Sequence, residues 1–236
     1  MSQAKKVFTR MCLNNWGGID HKVLEFHEYV NLFSGKSGSG KSTVMDAIQV
    51  ILYGSFSPSF LNKAADDAKN RRSVLSYLRG EQKDGSANRK DCDFCSVIAL
   101  EIEDTGTHII TCIGIAFEVR KSDSEIKKFV YFSHSGKMPE SEYLTEQGVC
   151  YSNQEIKKLV SARTKSDDNR GKGEVNRIYG SKEAYLGTLY DVILGYIDQN
   201  RFITMEKSAI ALKMTNGTGQ FIRCLLYTSP SPRDTR

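Results

Sequence analysis

At 236 residues, with 39% hydrophobic and 26% charged residues, the chain has the make-up of one globular domain or one and a half, with apolar side chains enough for a core. A net charge of +5 and a pI near 8.8 permit contact with nucleic acid without requiring it. No apolar run approaches the ~18 residues that span a bilayer, and Ala4-Lys5-Lys6-Val7-Phe8-Thr9-Arg10 lacks the apolar core of a secretory signal, so the expected compartment is the cytoplasm, with no membrane partner.

Residues 7–13 and 22–34 read as strands, the second running through Tyr29-Val30-Asn31-Leu32-Phe33 into a glycine-rich loop. From Lys41 to Tyr53, Val44, Ala47, Ile48 and Ile51 recur at helical spacing, and Gly54 is a suitable stop. Residues 61–79 read as a basic helix. Residues 94–103 and 107–119 alternate around the turn Asp104-Thr105-Gly106, and 128–133 makes a third strand, so an antiparallel meander stands beside a strand–loop–helix unit. Helices follow at 153–162, at 182–194 with Leu186, Leu189 and Ile193 on one face and Gly195 at its end, and at 205–214. The polar stretch 164–173 is a loop. The predicted fold class is α/β, a partial P-loop NTPase lobe: a mixed sheet around the P-loop helix, an antiparallel β layer and a helical arm. Its divisions are a nucleotide-binding lobe at 1–149, the arm at 150–223 and a tail at 224–236.

Six cysteines lie scattered, unlike a secreted disulfide framework. Cys92 and Cys95 form a lone C-x-x-C, read as structural; a zinc site, the alternative, needs a second ligand pair. From Cys224 the chain reads Leu-Leu-Tyr-Thr-Ser-Pro-Ser-Pro-Arg-Asp-Thr-Arg, with two prolines and no amphipathic period. That stretch resembles translated sequencing-adapter sequence, which implies a reading frame lost near Arg223. A natural flexible terminus is the alternative.

The chemistry is concentrated in Gly35-Lys36-Ser37-Gly38-Ser39-Gly40-Lys41-Ser42, which matches G-x-x-x-x-G-K-[ST] at every position. A polyphosphate presents closely spaced anionic oxygens, and backbone N–H groups satisfy them only where the chain wraps tightly. Glycines at 35, 38 and 40 permit that wrapping. The following helix aims its first N–H groups and positive dipole end at the phosphates. Lys41 sets an ammonium against the β and γ phosphates, and the Ser42 hydroxyl supplies a ligand to Mg²⁺. Chance yields such a pattern in roughly one chain per hundred of this length. The strand before it and the amphipathic helix after it make an accidental glycine-rich turn rarer still.

A P-loop by itself names a nucleoside triphosphate, not a reaction. Ser39-Gly40-Lys41-Ser42-Thr43-Val44-Met45-Asp46-Ala47-Ile48, continuing to Leu52-Tyr53-Gly54, resembles the Walker A helix of the SMC and SbcC superfamily of ABC-type ATPases. Leu13-Asn14-Asn15-Trp16-Gly17-Gly18-Ile19-Asp20, Glu25-Phe26 and Asn31-Leu32-Phe33-Ser34-Gly35 look like the bacterial condensin branch of MukB, MksB and JetC. Tyr77-Leu78-Arg79-Gly80 and Gly195-Tyr196-Ile197-Asp198-Gln199-Asn200-Arg201-Phe202 are similar to its JetC-like members. The resemblance covers about residues 7–223. Ser37 departs from it, since many SMC proteins have Asn before the second glycine of the loop.

That resemblance implies an ATPase using ATP and Mg²⁺, with Gly35, Lys36, Ser37, Gly38, Ser39, Gly40, Lys41, Ser42 and Thr43 around the nucleotide. It places Gln199 as the Q-loop glutamine touching Mg²⁺ and the attacking water; a merely solvated glutamine is the alternative. Implied partners are a second ATPase head in an ATP-mediated homodimer, the C-terminal half of the head, duplex DNA and kleisin-type subunits, near the bacterial nucleoid. The sequence holds no L-S-G-G-Q-like signature, no four apolar residues ending in Asp-Glu and no heptad repeat. Hydrolysis needs those elements, so this stretch supplies the phosphate grip.

Trp16 is the only tryptophan, set for half-buried packing, with a place near the adenine or at the head surface as the alternative. Lys63, Lys69, Arg71, Arg72, Arg79, Lys83, Arg89 and Lys90 enrich the segment after the P-loop helix in positive charge. Arg71, Arg72, Lys83, Arg89 and Lys90 are the candidate DNA contacts. With Asp66, Asp67, Glu81 and Asp84 interspersed, a solvated helix face is the alternative. Three function classes follow: a DNA-acting ATPase head, a stand-alone P-loop repair ATPase or nucleotide kinase, and a nucleotide-binding module without catalysis.

Overall fold

Runs rich in apolar and β-branched residues build six strands: β1 (Lys6–Trp16), β2 (Ile19–Glu25), β3 (Phe94–Asp104), β4 (Ile110–Val119), β5 (Lys128–Ser135) and β6 (Arg177–Tyr179). The computed structural model describes residues 4–36, 39–57, 73–82, 85–166 and 175–211, the side chains of 207–211 excepted. The chain divides into two units, the first ending at Ile197 and the second beginning at Asp198.

Helices and sheet together make the α/β class expected. The sheet runs in the order β2-β1-β3-β4-β5-β6, with every neighbouring pair antiparallel. The strands, expected to be mixed in direction, are thus antiparallel throughout among the described residues. The strand expected through residues 29–33 does not form, because nothing described pairs with it: β2 stops at Glu25, and Tyr29, Val30 and Leu32 are 70, 76 and 87% exposed. Alternation gives an extended shape, but a strand also needs a ladder for its amides.

Successive side chains point to opposite faces, so the sheet carries two cores. On one face Cys12, Val97, Ala99, Cys112, Ala116 and Phe132 pack under Met138, Tyr143 and Cys150 and under Ile156 and Val160 of α3 (Asn153–Ser166). The start of α3 is set by Ser152 and Glu155, which cap each other's backbone N–H at 3.3 and 2.7 Å. The opposite face carries α1 (Lys41–Tyr53) against β3 and β4 and α4 (Lys182–Gly187) against β5 and β6. Phe56 bridges them, edge-on to Phe117 and stacked on Tyr131, which stacks in turn on Tyr185. Both α3 and α4 pack on the sheet, within the first unit.

Of the basic helix expected at 61–79, the described part is α2 (Val74–Arg79), started by Ser73, whose Oγ accepts from the Ser76 N–H at 3.0 Å. The single helix expected at 182–194 changes character midway: α4 passes into a π-helical segment, Thr188–Ile193. The wider turn brings Tyr185 and Tyr190, five residues apart, to one side, and both are buried. The helix expected at 205–214 starts earlier, as α5 (Gln199–Ala211), because the Asp198 carboxylate accepts from the Arg201 N–H at 2.7 Å.

Candidate nucleotide-binding site

The start of α1 is decided by Gly40, which ends the loop at φ +88°, a left-handed conformation in which a side chain would be strained. Gly40 offers no side chain to cap the helix, and the first turn contains no acidic residue. The first amides of α1 therefore face outward with the positive end of the helix dipole uncompensated. Lys41 folds back over the loop, its Nζ donating to Gly35 O at 2.6 Å, Lys36 O at 2.9 Å and Ser39 Oγ at 3.1 Å. The Ser39 N–H closes the turn on Lys36 O at 3.2 Å. Ser42, the next residue, is exposed. Open amides, a cation resting on neutral carbonyls and an exposed hydroxyl suit an anion with a bound divalent metal. Ser37 and Gly38 lie outside the described residues.

A helix whose dipole end is left open must be held elsewhere, and three tyrosines hold its far end. Tyr185 OH donates to Ile51 O at 3.0 Å, Tyr190 OH to Leu52 O at 3.0 Å and Tyr131 OH to Gly54 O at 2.7 Å. These are carbonyls that the end of a helix leaves without intrahelical partners, here satisfied in a buried setting. Burial raises the pKa of all three phenols, Tyr131 to about 12, so each stays a donor. Tyr185→Phe and Tyr190→Phe are each expected to cost about 1–2 kcal/mol in urea unfolding, the cost of a buried carbonyl left unmatched. Wild-type stability in either variant would show that the hydroxyls do not anchor α1.

The near end is braced by Trp16. Its ring is fully buried, stacked on Tyr77 at 5.1 Å with an interplanar angle of 6°, and its Nε1–H donates to Thr43 O at 2.9 Å. Of the two roles open from sequence, packing is the one observed. Tyr77 OH donates to the buried Asp46 carboxylate, and Tyr77 O accepts from the Gly17 N–H at 2.8 Å. Gly17 is required here: at φ +60°, a Cβ would lie 2.6 Å from Thr43 Cγ2. The turn after β1 thus presses directly on the first turn of the P-loop helix.

Arg89, expected to meet DNA, is a correction. It is 7% exposed, and burial lowers its pKa. Its guanidinium donates to Leu78 O at 2.9 Å, to Asp20 at 2.7 Å and to Gly17 O, tying α2 to the β1–β2 turn. A guanidinium spent on three internal acceptors is not available to phosphate. Arg89→Ala is expected to cost about 1–3 kcal/mol in chemical unfolding, by orphaning the Leu78 and Gly17 carbonyls, while the Asp20 carboxylate, 81% exposed, is taken over by water. A loss below about 0.5 kcal/mol would mean the cluster is not structural. Lys90 is exposed; Arg71, Arg72 and Lys83 lie outside the described residues. Gln199 is the first residue of α5, in the second unit, whereas the loop belongs to the first. Sequence reasoning missed Tyr131, Tyr185, Tyr190 and Asp46. The signal present was an unusual density of tyrosine, 11 in the chain, with hydroxyls that must find acceptors once buried.

Comparison with known proteins adds three findings. A solved structure from work on ATP-driven dimerization and DNA stimulated activation of SMC ATPases aligns with 85% of this chain and 98% of its own, at 15% identity and a TM-score of 0.36. The SbcC component of the SbcCD nuclease of Staphylococcus haemolyticus is 34% identical over 74 residues, 30% of this chain and 6% of that protein, so the chain spans a small part of that relative's length. Residues 8–68 match the P-loop containing region of AAA domain, and that stretch includes most of β1, β2, the glycine-rich loop and the whole of α1.

Proposed function

We propose that this chain is the ATP-binding N-terminal head segment of an SMC-like ATPase that acts on DNA, in chromosome condensation and segregation or in plasmid defence, through ATP-driven engagement of two heads. The observation that carries the reading is the open start of α1: uncapped amides, no acid in the first turn, and Lys41 poised over Gly35 and Lys36. A P-loop match over 8–68 and a partial relative of SbcC type support it.

In this reading the backbone from Gly35 to Gly40 (Gly35, Lys36, Ser37, Gly38, Ser39, Gly40) and the first amides at Lys41, Ser42 and Thr43 enclose the phosphates. Lys41 exchanges weak carbonyl acceptors for β and γ phosphate oxygens. Ser42 would hold magnesium, which when bound neutralises charge on the phosphates. Trp16 at its start and the three tyrosines at its far end keep α1 in place, so little ordering remains to be done when nucleotide arrives. Turnover needs a signature loop and an acidic strand from beyond this sequence, supplied by the C-terminal half and the partner head; kleisin-type subunits and a nucleoid location follow from the same reading. Calorimetry of the folded chain with Mg·ATP tests it: heat saturating at one nucleotide per chain is expected, and no heat would sink it.

A further inference from the structure

Strand β5 ends on His134 and Ser135, and the chain then crosses the α3 side of the sheet as a strap, residues 136–151, before α3 begins. Its midpoint is strained. Glu142 and Tyr143 stand consecutively at φ +51° and +60°, the left-handed region that residues other than glycine rarely adopt. Such a pair persists only where its surroundings over-determine it. Tyr143 supplies the hold: it is fully buried in one cluster with Cys12, Cys112 and Phe132, and its hydroxyl meets His134 Nε2 at 2.9 Å. His134 is also fully buried, with Nδ1 at 3.1 Å from Ser135 O. A carbonyl only accepts, so the ring proton is on Nδ1 and the bare Nε2 accepts from the Tyr143 hydroxyl. The latch is made by a neutral imidazole. A second ring proton would turn Nε2 into a donor, cancel the bond that Tyr143 donates and set a charge in the core.

The groups around His134 do not relieve that charge. From β4, the Cys112 thiol donates to Gly136 O at 3.4 Å and is kept protonated by burial, as is the Tyr143 phenol. From β3, Glu101 gives its oxygens to Thr9 Oγ1 and the Met138 N–H, each at 2.8 Å. From β1, Cys12 is held protonated by burial and Arg10 is turned to Glu142 at 3.0 Å. From α3, the Arg163 guanidinium adds positive charge. Burial first, with Arg163 adding to it, pushes His134 down to about 4.

We infer that residues 136–151 are an acid-released strap: neutral His134 latches the strained Tyr143, and protonation of the imidazole lets the segment open. Opening also releases Asn14, whose Nδ2 donates to Glu142 O at 2.8 Å two residues before Trp16, so the strap secures the end of β1 that braces α1. In the closed strap His134 titrates at about 4, and in an open one it returns to the ordinary 6.5. The latch is therefore intact above 6.5 and is lost as pH falls from there toward 4. Between about pH 7 and pH 5 the ratio of open to closed strap is expected to rise ~20-fold.

Hydrogen exchange read by mass spectrometry on the full 236-residue chain tests this, with rates corrected for the intrinsic effect of pH. The reporting amides are Glu142, Leu144 and Tyr151, which donate within the strap to Pro139 O, Ser141 O and Tyr143 O. Their protection is expected to fall about 20-fold from about pH 7 to pH 5, while staying below that of β3 and β4 at both. In His134→Gln, which takes up no proton, the fall is expected to shrink to under about threefold. His21→Gln is the control for the histidine that meets Glu142 at 2.8 Å, and is expected to keep the full effect. Imidazole nitrogen shifts of the unaltered chain give a reading independent of any variant, expected to remain those of a neutral Nδ1–H ring down to about pH 5 in the closed strap. Equal protection at the two pH values, a fall that survives His134→Gln, or a ring that protonates near 6.5 with the strap still closed would each overturn the inference. So would a strap and strands that lose protection together at one common level, the mark of global unfolding.

Discussion

Lys41→Ala is expected to weaken Mg·ATP binding roughly 100-fold, about 3 kcal/mol, while leaving unfolding stability nearly unchanged. The asymmetry follows from where the side chain rests. Among the described residues its Nζ touches Gly35 O, Lys36 O and Ser39 Oγ, groups at the surface that water can take over. Losing those contacts costs the fold little. Phosphate oxygens are different, because they are anionic and gather at a helix end left uncapped. Lys41→Arg is expected to rescue little, since a planar fork does not fit where a compact ammonium does. Titration calorimetry gives the affinity and thermal unfolding the stability. An affinity within about threefold of wild type would mean the loop does not hold the phosphates through this residue.

Trp16→Ala is expected to be the most damaging single change, at about 3–5 kcal/mol, the cost of emptying a fully buried aromatic site. Trp16→Phe keeps most of the ring and its stacking on Tyr77 but removes the Nε1–H that meets Thr43 O, for an expected loss of about 1–2 kcal/mol. The difference between the two variants separates packing from hydrogen bonding. Both are expected to lower nucleotide affinity, because the β1–β2 turn no longer presses on the first turn of α1. No other tryptophan is present, so unfolding is best followed by far-ultraviolet circular dichroism. A loss under about 1 kcal/mol for the alanine variant would show that the wedge is not what positions the helix.

Much of this arrangement is legible in the order of residues. The P-loop helix occupies Lys41–Tyr53 as its periodicity predicts, because a left-handed glycine at each end is a local signal that needs no tertiary partner. Strands β3, β4 and β5 are legible for a similar reason: short runs of apolar and β-branched residues bounded by turn signals mark strands, here buried on both faces. The phosphate chemistry is also local, being carried by eight consecutive residues. What the order could not reveal is which groups would be desolvated together. Arg89 sits in a charged run and reads as a surface cation, yet Gly17, Asp20 and Leu78 converge on it from 72, 69 and 11 residues away. Tyr131, Tyr185 and Tyr190 carry no local mark of their shared task, which arises only when the sheet and the π-helical segment close over the end of α1. The apolar run at residues 29–33 was equally readable, but whether it becomes a strand depends on a neighbour, and none is described beside it. Sequence by itself determined the helix, its glycine stops and the anion-seeking loop, since backbone conformation and charge are properties of adjacent residues. Burial and hydrogen-bond partnership belong to residues far apart in the chain, so the brace around that loop was decided by tertiary structure.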